Sequence, residues 1–223
     1  MPSLRIATFN VHHCRGSDGV VDVERVARVL RSLEADLIAL QELDRGMRRS
    51  DGVDQPAELS RFLGAEILFF PTLRRGEGEY GLGLTARPPA EGPAFVPLPQ
   101  LGTEEPRGAI SARWQGLEVL CTHLSTSART RRVQTSALAA IAEGAEGPAL
   151  VLGDLNQASR SLGPLTTRGF RGAFGHRTLA KAHLRRQIDH ILVRGARLTR
   201  SWTVHSDASD HLPLLAELEV PTA

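Results

Sequence analysis

The sequence predicts an α/β fold in which two sheets pack face to face with helices on the outside. Apolar, strand-like runs crowd both halves of the chain, and each half also holds one or two stretches of helical periodicity. No internal repeat or low-complexity linker interrupts them, and 223 residues fit one domain over 1–223. That length is enough to bury a real core.

Residues 4–11 read as a strand ending in a polar cluster. Residues 22–33 place Val23, Val26, Ala27, Leu30 and Leu33 at helical spacing, with Asp22 as N-cap. The near-continuous apolar run 36–43 suits a strand buried on both faces. A short helix over 56–63 would carry Pro56 in its first turn, and 65–70 is the next strand. The Gly- and Pro-rich stretch 76–99 should hold a strand at 80–86, a loop around Pro88-Pro89 and an irregular edge strand at 95–98. Runs 109–114 and 117–124, split by Gln115-Gly116, read as a hairpin. The longest helical pattern is 128–142, ended by Gly144, and a short buried strand follows at 149–152. Residues 159–182 read as mostly loop with a short helix, and 187–193, 198–205 and 214–220 as the last strands.

Composition excludes several classes. Hydrophobic content of 41% and charged content of 23% are ordinary for a soluble globular protein. The formal charge of +2 is too small to argue for nucleic acid by itself. The arginine groups Arg48-Arg49, Arg74-Arg75, Arg129 with Arg131-Arg132, and Arg185-Arg186 read first as solvated surface. No aromatic–basic alternation marks a stacking platform for single strands. Cys14 and Cys121 match no metal-finger spacing and read as small buried apolar residues. No signal-peptide pattern precedes the first strand, and no apolar run approaches a membrane span. The expectation is a cytoplasmic protein with no membrane span and no obligate protein partner.

Four polar clusters close apolar runs: Thr8-Phe9-Asn10, Gln41-Glu42, Gly153-Asp154-Leu155-Asn156 and Ser209-Asp210-His211. Strand ends are the usual place for a site on an α/β scaffold. Cleaving a phosphate ester requires offset of phosphoryl charge, an aligned water and a stabilised leaving oxygen. Mg²⁺ suits this with oxygen ligands and only one or two carboxylates. Glu42, at the exit of a buried strand, is the first candidate ligand, because a carboxylate there is costly unless paired or metal-bound. A helix cap or salt bridge is its plainer role. Asp154 and Asn156 would share one face of an extended chain while Leu155 packs inward, although Gly-Asp-x-Asn taken alone reads better as an Asx turn. Asp189 sits inside an otherwise apolar strand and wants a partner; His211, steered by it, makes a dyad. Its alternative is an edge-strand charge facing solvent. His123 ends another apolar strand, where it could serve a phosphoryl oxygen or a structural role. His12-His13 could line the rim or stand exposed.

Taken in order, these clusters resemble the endonuclease/exonuclease/phosphatase family. Thr8-Phe9-Asn10 and Leu40-Gln41-Glu42 resemble its opening motifs. Tyr80-Gly81 with Thr85-Ala86-Arg87, then Arg107-Gly108-Ala109-Ile110, resemble its middle segments. Thr122-His123-Leu124 resembles the histidine motif of the deoxyribonuclease and sphingomyelinase branches rather than the tyrosine of abasic-site endonucleases. Gly153-Asp154-Leu155-Asn156, Ile188-Asp189-His190 and Ser209-Asp210-His211 resemble the closing motifs, with Leu155 in place of Phe.

The resemblance implies a deoxyribonuclease-like, four-layer α/β/β/α sandwich of two mixed sheets with the site at one end. It implies Mg²⁺ or Mn²⁺ on Glu42, with Asn10 and Asp210 helping. Asp154 would orient or activate water, and Asn156 would hold phosphate. His211, steered by Asp189, would be base or phosphate ligand. His123 would assist the phosphoryl oxygen or leaving group, and Arg107 would contact substrate. The expected activity is Mg-dependent hydrolysis of phosphate esters by a nuclease-like phosphodiesterase, with DNA or RNA as one candidate substrate class. A phosphomonoesterase, a lipid or sugar phosphodiesterase, and a non-catalytic binding protein of the same fold are the alternatives. Loops at 45–51, 76–80, 92–107 and 159–181 would set substrate choice.

Overall fold

The computed structural model describes residues 3–180 and 186–221. Lys181, Ala182 and Arg185, parts of an expected loop and an arginine pair, lie outside the described residues. The elements, in chain order, are β1 (Ser3–Asn10), α1 (Val23–Ser32), β2 (Leu37–Arg45), α2 (Gln55–Leu63), β3 (Leu68–Arg75), β4 (Gly78–Ala86), β5 (Glu91–Pro97) and β6 (Gly108–Trp114). They continue with β7 (Leu117–His123), α3 (Ala128–Glu143), β8 (Ala149–Asp154), α4 (Gly163–Thr166), β9 (Arg171–Gly172), β10 (Asp189–Arg194), β11 (Arg197–Thr203) and β12 (Leu214–Glu219).

The strands form two six-stranded sheets, ordered β11-β12-β1-β2-β4-β3 and β5-β6-β7-β8-β10-β9. Each sheet is mixed for the same reason. One parallel pair, β1 with β2 or β7 with β8, is joined by a helical crossover, α1 or α3, and hairpins supply antiparallel neighbours. A crossover helix must lie on one face of its sheet. With the inner faces packed together, the helices cover the outside.

Three apolar clusters correspond to the three interfaces of a four-layer α/β/β/α sandwich. Ile6, Leu37, Leu84, Ile110, Val119 and Leu152 pack between the sheets. Phe9, Leu40 and Leu43 pack against Val26 and Leu30 of α1 and Leu59 of α2. Leu120, Val151 and Leu192 pack against Leu138 and Ala139 of α3 and Leu165 of α4. Each such side chain, fully buried, contributes about 1.5–3 kcal/mol. The alternation of inner and outer contacts along β2 explains its near-continuous apolar run.

Caps set the helix boundaries. The Asp22 carboxylate accepts from the Arg25 amide at 2.8 Å and starts α1. Asp54, unnoticed in the sequence, does the same for α2 through Ala57 N–H at 3.0 Å. The structure departs from the expected elements mainly at strand ends. β2 does not stop at Leu43 but runs on to Arg45 through a register shift. β3 reaches Arg75 because it closes a hairpin with Gly78. β10 starts at Asp189, two residues late, because Gln187 turns its side chain to the His176 amide at 3.1 Å.

Candidate active site

Topology brings the polar clusters together. Asn10, His123 and Asp154 are the last residues of β1, β7 and β8, so they emerge at the carboxyl ends of parallel strands, where crevices form in α/β sheets. β10 and β12 run antiparallel to β8 and β1, which returns their first residues to the same end. Asp189 is the register partner of Asp154, and His211 enters just ahead of β12. Ser209 ties that segment down. Its Oγ donates to the Asn10 carbonyl at 2.7 Å and accepts from the His211 amide at 3.1 Å.

Glu42 reaches the site by a different device. Leu40 pairs with Gly83 and Leu43 with Gly81, so two residues of β2, Gln41 and Glu42, face one residue of β4. This β-bulge puts Glu42 at φ 62° and re-aims its side chain. Glu42 is therefore in a mid-strand bulge, not at a strand exit. Gln41 stays buried between the sheets, accepting from Thr8 Oγ1 at 3.3 Å.

The Asn10 amide joins the two sheets chemically. Its Nδ2 donates to Glu42 Oε1 at 2.9 Å and to Asp154 Oδ2 at 3.0 Å. Two carboxylates thus converge on one amide. His211 Nε2 stands 3.8 Å from Asp154 Oδ2, and its Nδ1 bonds Asp189 at 2.9 Å. Asp189 is not a solvent-facing edge charge: it is 1% exposed.

Asp154 and Asn156 do not lie on an extended strand. Asn156 takes φ 52° and its N–H donates to Asp154 Oδ1 at 2.8 Å, an Asx turn. Leu155 nevertheless packs inward beneath α3. Gly153 permits the approach: at φ 142° a Cβ would sit 1.9 Å from the Thr122 carbonyl oxygen.

Arg107 sets the state of His123. Its guanidinium has no acceptor, so at 3.0 Å from Nδ1 it must donate. His123 Nε2 lies 3.4 Å from Asp154 Oδ2. The Asn156 amide nitrogen lies 3.1 Å from the same Nε2 and donates to the Leu124 carbonyl at 2.9 Å. Burial, then the Arg107 and His211 charges, hold His123 well below the usual imidazole range. Burial would also lower His211, but Asp189, by charge and hydrogen bond, and Asp154 and Asp210 overcome it and raise it to about 10. Burial and the Asp189 charge push Asp154 up to about 7, against the opposing effects of His211 and the hydrogen bonds from Asn156 and Asn10.

Asp210 stands at the rim, a third exposed, with Oδ1 3.5 Å from His12 Nδ1. Sequence reasoning gave no role to Glu105, which pairs with Arg107 at 3.0 Å, or to Arg131, which donates to the Ser125 and Thr126 carbonyls beside the site. No local motif marks either, since both act across loops. His12, His13 and Cys14 form a turn with φ of 47°, 45° and 58°. Three successive left-handed residues cost roughly 1–2 kcal/mol each. A cleft of about 410 Å³ opens beside His12 and Asp210, lined also by Arg15 and His205. A larger one, about 460 Å³, lies at the Gln115-Gly116 turn, at the opposite end of β7 from His123.

The donor set fits a hard dication: Glu42 is a half-buried carboxylate beside the Asn10 amide, and Asp210 is a second carboxylate at the rim.

Comparison with known proteins agrees with this fold. The sequence matches the profile of the Endonuclease/Exonuclease/phosphatase family over residues 7–211. No curated protein matches it. Among solved structures, an endonuclease/exonuclease/phosphatase from Beutenbergia cavernae superposes with a TM-score of 0.83 at 21% identity, covering 100% of this chain and 73% of that one. D. rerio TDP2 complexed with single-strand DNA product gives 0.70 at 16% identity, covering 99% and 100%. A mannosyl-6-phosphatase from Bacteroides thetaiotaomicron gives 0.71 at 17% identity, covering 97% and 99%. The fold is common to all three, and the extent of the profile match decides the membership: this chain belongs to the endonuclease/exonuclease/phosphatase family, whose members are hydrolases acting on phosphate esters.

Proposed function

We propose that this chain is a Mg²⁺- or Mn²⁺-dependent hydrolase of phosphate esters, a phosphodiesterase with nuclease-like activity. The observation that carries the reading is the Asn10 amide held between Glu42 and Asp154, with the buried Asp189–His211 pair alongside. Glu42 would hold the dication with Asn10 and Asp210. When bound, it offsets charge on phosphoryl oxygens and draws down the pKa values of nearby acids.

The chain's own groups divide the remaining work. Asp154, which burial and the Asp189 charge raise and a bound dication would lower again, is the group placed to take a proton from the attacking water. His211, raised to about 10, stays imidazolium and faces phosphoryl charge through Nε2, while Asp189 fixes its ring through Nδ1. His123, held neutral by burial and by the Arg107 and His211 charges, lies beside the same space and can serve the leaving oxygen. Asn156 and Arg107 flank it as substrate contacts. Such preset donors typically contribute 10²–10³ each to turnover.

The substrate is open between nucleic acid and smaller esters, since a structure with DNA product and a sugar phosphatase share this fold equally. We place the protein in the cytoplasm, where two free, buried thiols are stable. No helix of the described residues is long and apolar enough to cross a membrane.

Hydrolysis of bis-p-nitrophenyl phosphate with Mg²⁺ or Mn²⁺ tests the reading. Turnover that chelator abolishes is expected. No turnover with any dication would leave a binding protein that keeps the fold. Plasmid DNA separates the substrate classes: nicking marks a nuclease, and intact supercoils beside active small-ester hydrolysis mark the alternative.

A further inference from the structure

We propose that His12, His13 and Glu42 form a nitrogen-containing cation subsite at the mouth of the cleft, suited to a transition dication such as Zn²⁺, Co²⁺ or Mn²⁺. It deepens the phosphoesterase reading and rests on it through one shared residue, Glu42.

One ring nitrogen of each histidine and a Glu42 carboxylate oxygen lie within 4.8 Å of one another. Neighbouring residues of an extended chain point to opposite faces. Here the left-handed turn at His12, His13 and Cys14 brings the two rings to the same side, with centroids 4.4 Å apart and edge to face. The turn is held from outside its own residues. Gln55 Nε2 donates to the His13 carbonyl at 2.7 Å, and the Asp22 amide donates to the Cys14 carbonyl at 2.8 Å.

The histidines are not explained by hydrogen bonding within the fold. His12 Nδ1 and His13 Nδ1 are buried and have no hydrogen-bond partner among the described residues. His12 Nδ1 has the Asp210 carboxylate at 3.5 Å without bonding it. His13 is only 6% exposed, so water does not freely satisfy it. Buried polar nitrogens are normally paired, and each exception asks for a ligand, an ion or a water. Imidazole nitrogens beside a carboxylate are a poor set for Mg²⁺, which takes oxygen, and a better one for Zn²⁺ or Co²⁺, with Mn²⁺ the weakest binder of these three transition dications. The subsite would therefore tilt the metal preference of the cleft away from Mg²⁺.

The full chain loaded with Mn²⁺ gives the direct test by pulsed electron paramagnetic resonance. ¹⁴N modulation from imidazole is expected. Titration calorimetry with Zn²⁺ then compares the wild type with His12→Asn and His13→Asn. Asn tolerates the left-handed backbone, so each variant keeps the turn, and a thermal melt checks its folding. Each should weaken Zn²⁺ binding by at least roughly 10–100-fold, the range that loss of an outer-shell partner alone produces. Failure of Mn²⁺ to bind, Mn²⁺ bound without ¹⁴N modulation, or wild-type Zn²⁺ affinity in both variants would overturn the subsite. The two readings fail differently. Turnover with an all-oxygen Mn²⁺ spectrum removes the subsite alone. Nitrogen coupling with no turnover under any dication removes the phosphoesterase reading alone.

Discussion

Across the cleft, two groups of side chains are built on different terms. Asp154, Asp189, His123 and His211 are each at most 6% exposed, and they bond one another or the adjacent Asn10, Asn156 and Arg107. On the opposite side, Glu42, His12 and Asp210 are half-buried, and ring nitrogens of His12 and His13 stay unpaired. Of the first group, Asp154, Asp189 and His123 stand on strand ends and His211 just ahead of one. The second stands on a bulge and a left-handed turn. The difference teaches a division of labour. The buried network is preorganised by its own hydrogen bonds, whereas the other side leaves His12 Nδ1 and His13 Nδ1 without a partner among the described residues.

Perturbing each side separately should break that comparison if it is wrong. The largest effect is expected at Gly153→Ala, where the added Cβ meets the Thr122 carbonyl oxygen. Backbone cannot yield there as a flexible side chain would, and overpacking costs typically 1–3 kcal/mol even in ordinary cores. A denaturant melt should show a loss at or above that range; an unchanged midpoint would contradict the tight β7–β8 approach. His211→Ala should leave the circular dichroism spectrum intact and lower kcat by about 10²–10⁴. Glu42→Gln should act on the other side alone. The dication concentration for half-maximal rate should rise at least roughly tenfold, with thermal stability kept. An unchanged Mg²⁺ or Mn²⁺ titration would refute the ligand assignment.

Asp189→Asn sharpens the comparison through pH. The negative charge of Asp189 raises both Asp154 and His211. In the wild type kcat/KM should climb as Asp154 loses its proton, below about 7 once the dication is bound, and fall as His211 loses its proton. Removing the charge lowers both, so both limbs should move to lower pH. Limbs that stay in place would detach Asp189 from either group.

The buried side was largely legible in the sequence. A carboxylate inside the apolar run that became β10 and a histidine before the apolar run of β12 announce a charge needing a partner, and the partner is found. The strand-end clusters likewise announce a common end, because strands of a sheet end together. The other side was not legible. Whether Glu42 sits in a bulge depends on which β4 residues face β2, a pairing some 40 residues away in the chain. The turn at His12 and His13 depends on Gln55 and Asp22, contacts no local spacing encodes. The Asx turn at Asn156 was visible only as one of two options, and the backbone chose it over the extended form.

The two sides of the cleft meet at Asp154, through the Asn10 amide that it shares with Glu42. Asp154→Asn keeps the shape and removes the charge. Burial and Asp189 disfavour that charge in the folded state, so its removal should hold or raise the melting temperature at pH 8. Turnover of bis-p-nitrophenyl phosphate at saturating Mn²⁺ should fall by about 10²–10⁴ in the same sample. A variant that hydrolyses the ester at the wild-type rate would contradict the assignment of this cleft as the place where the reaction occurs.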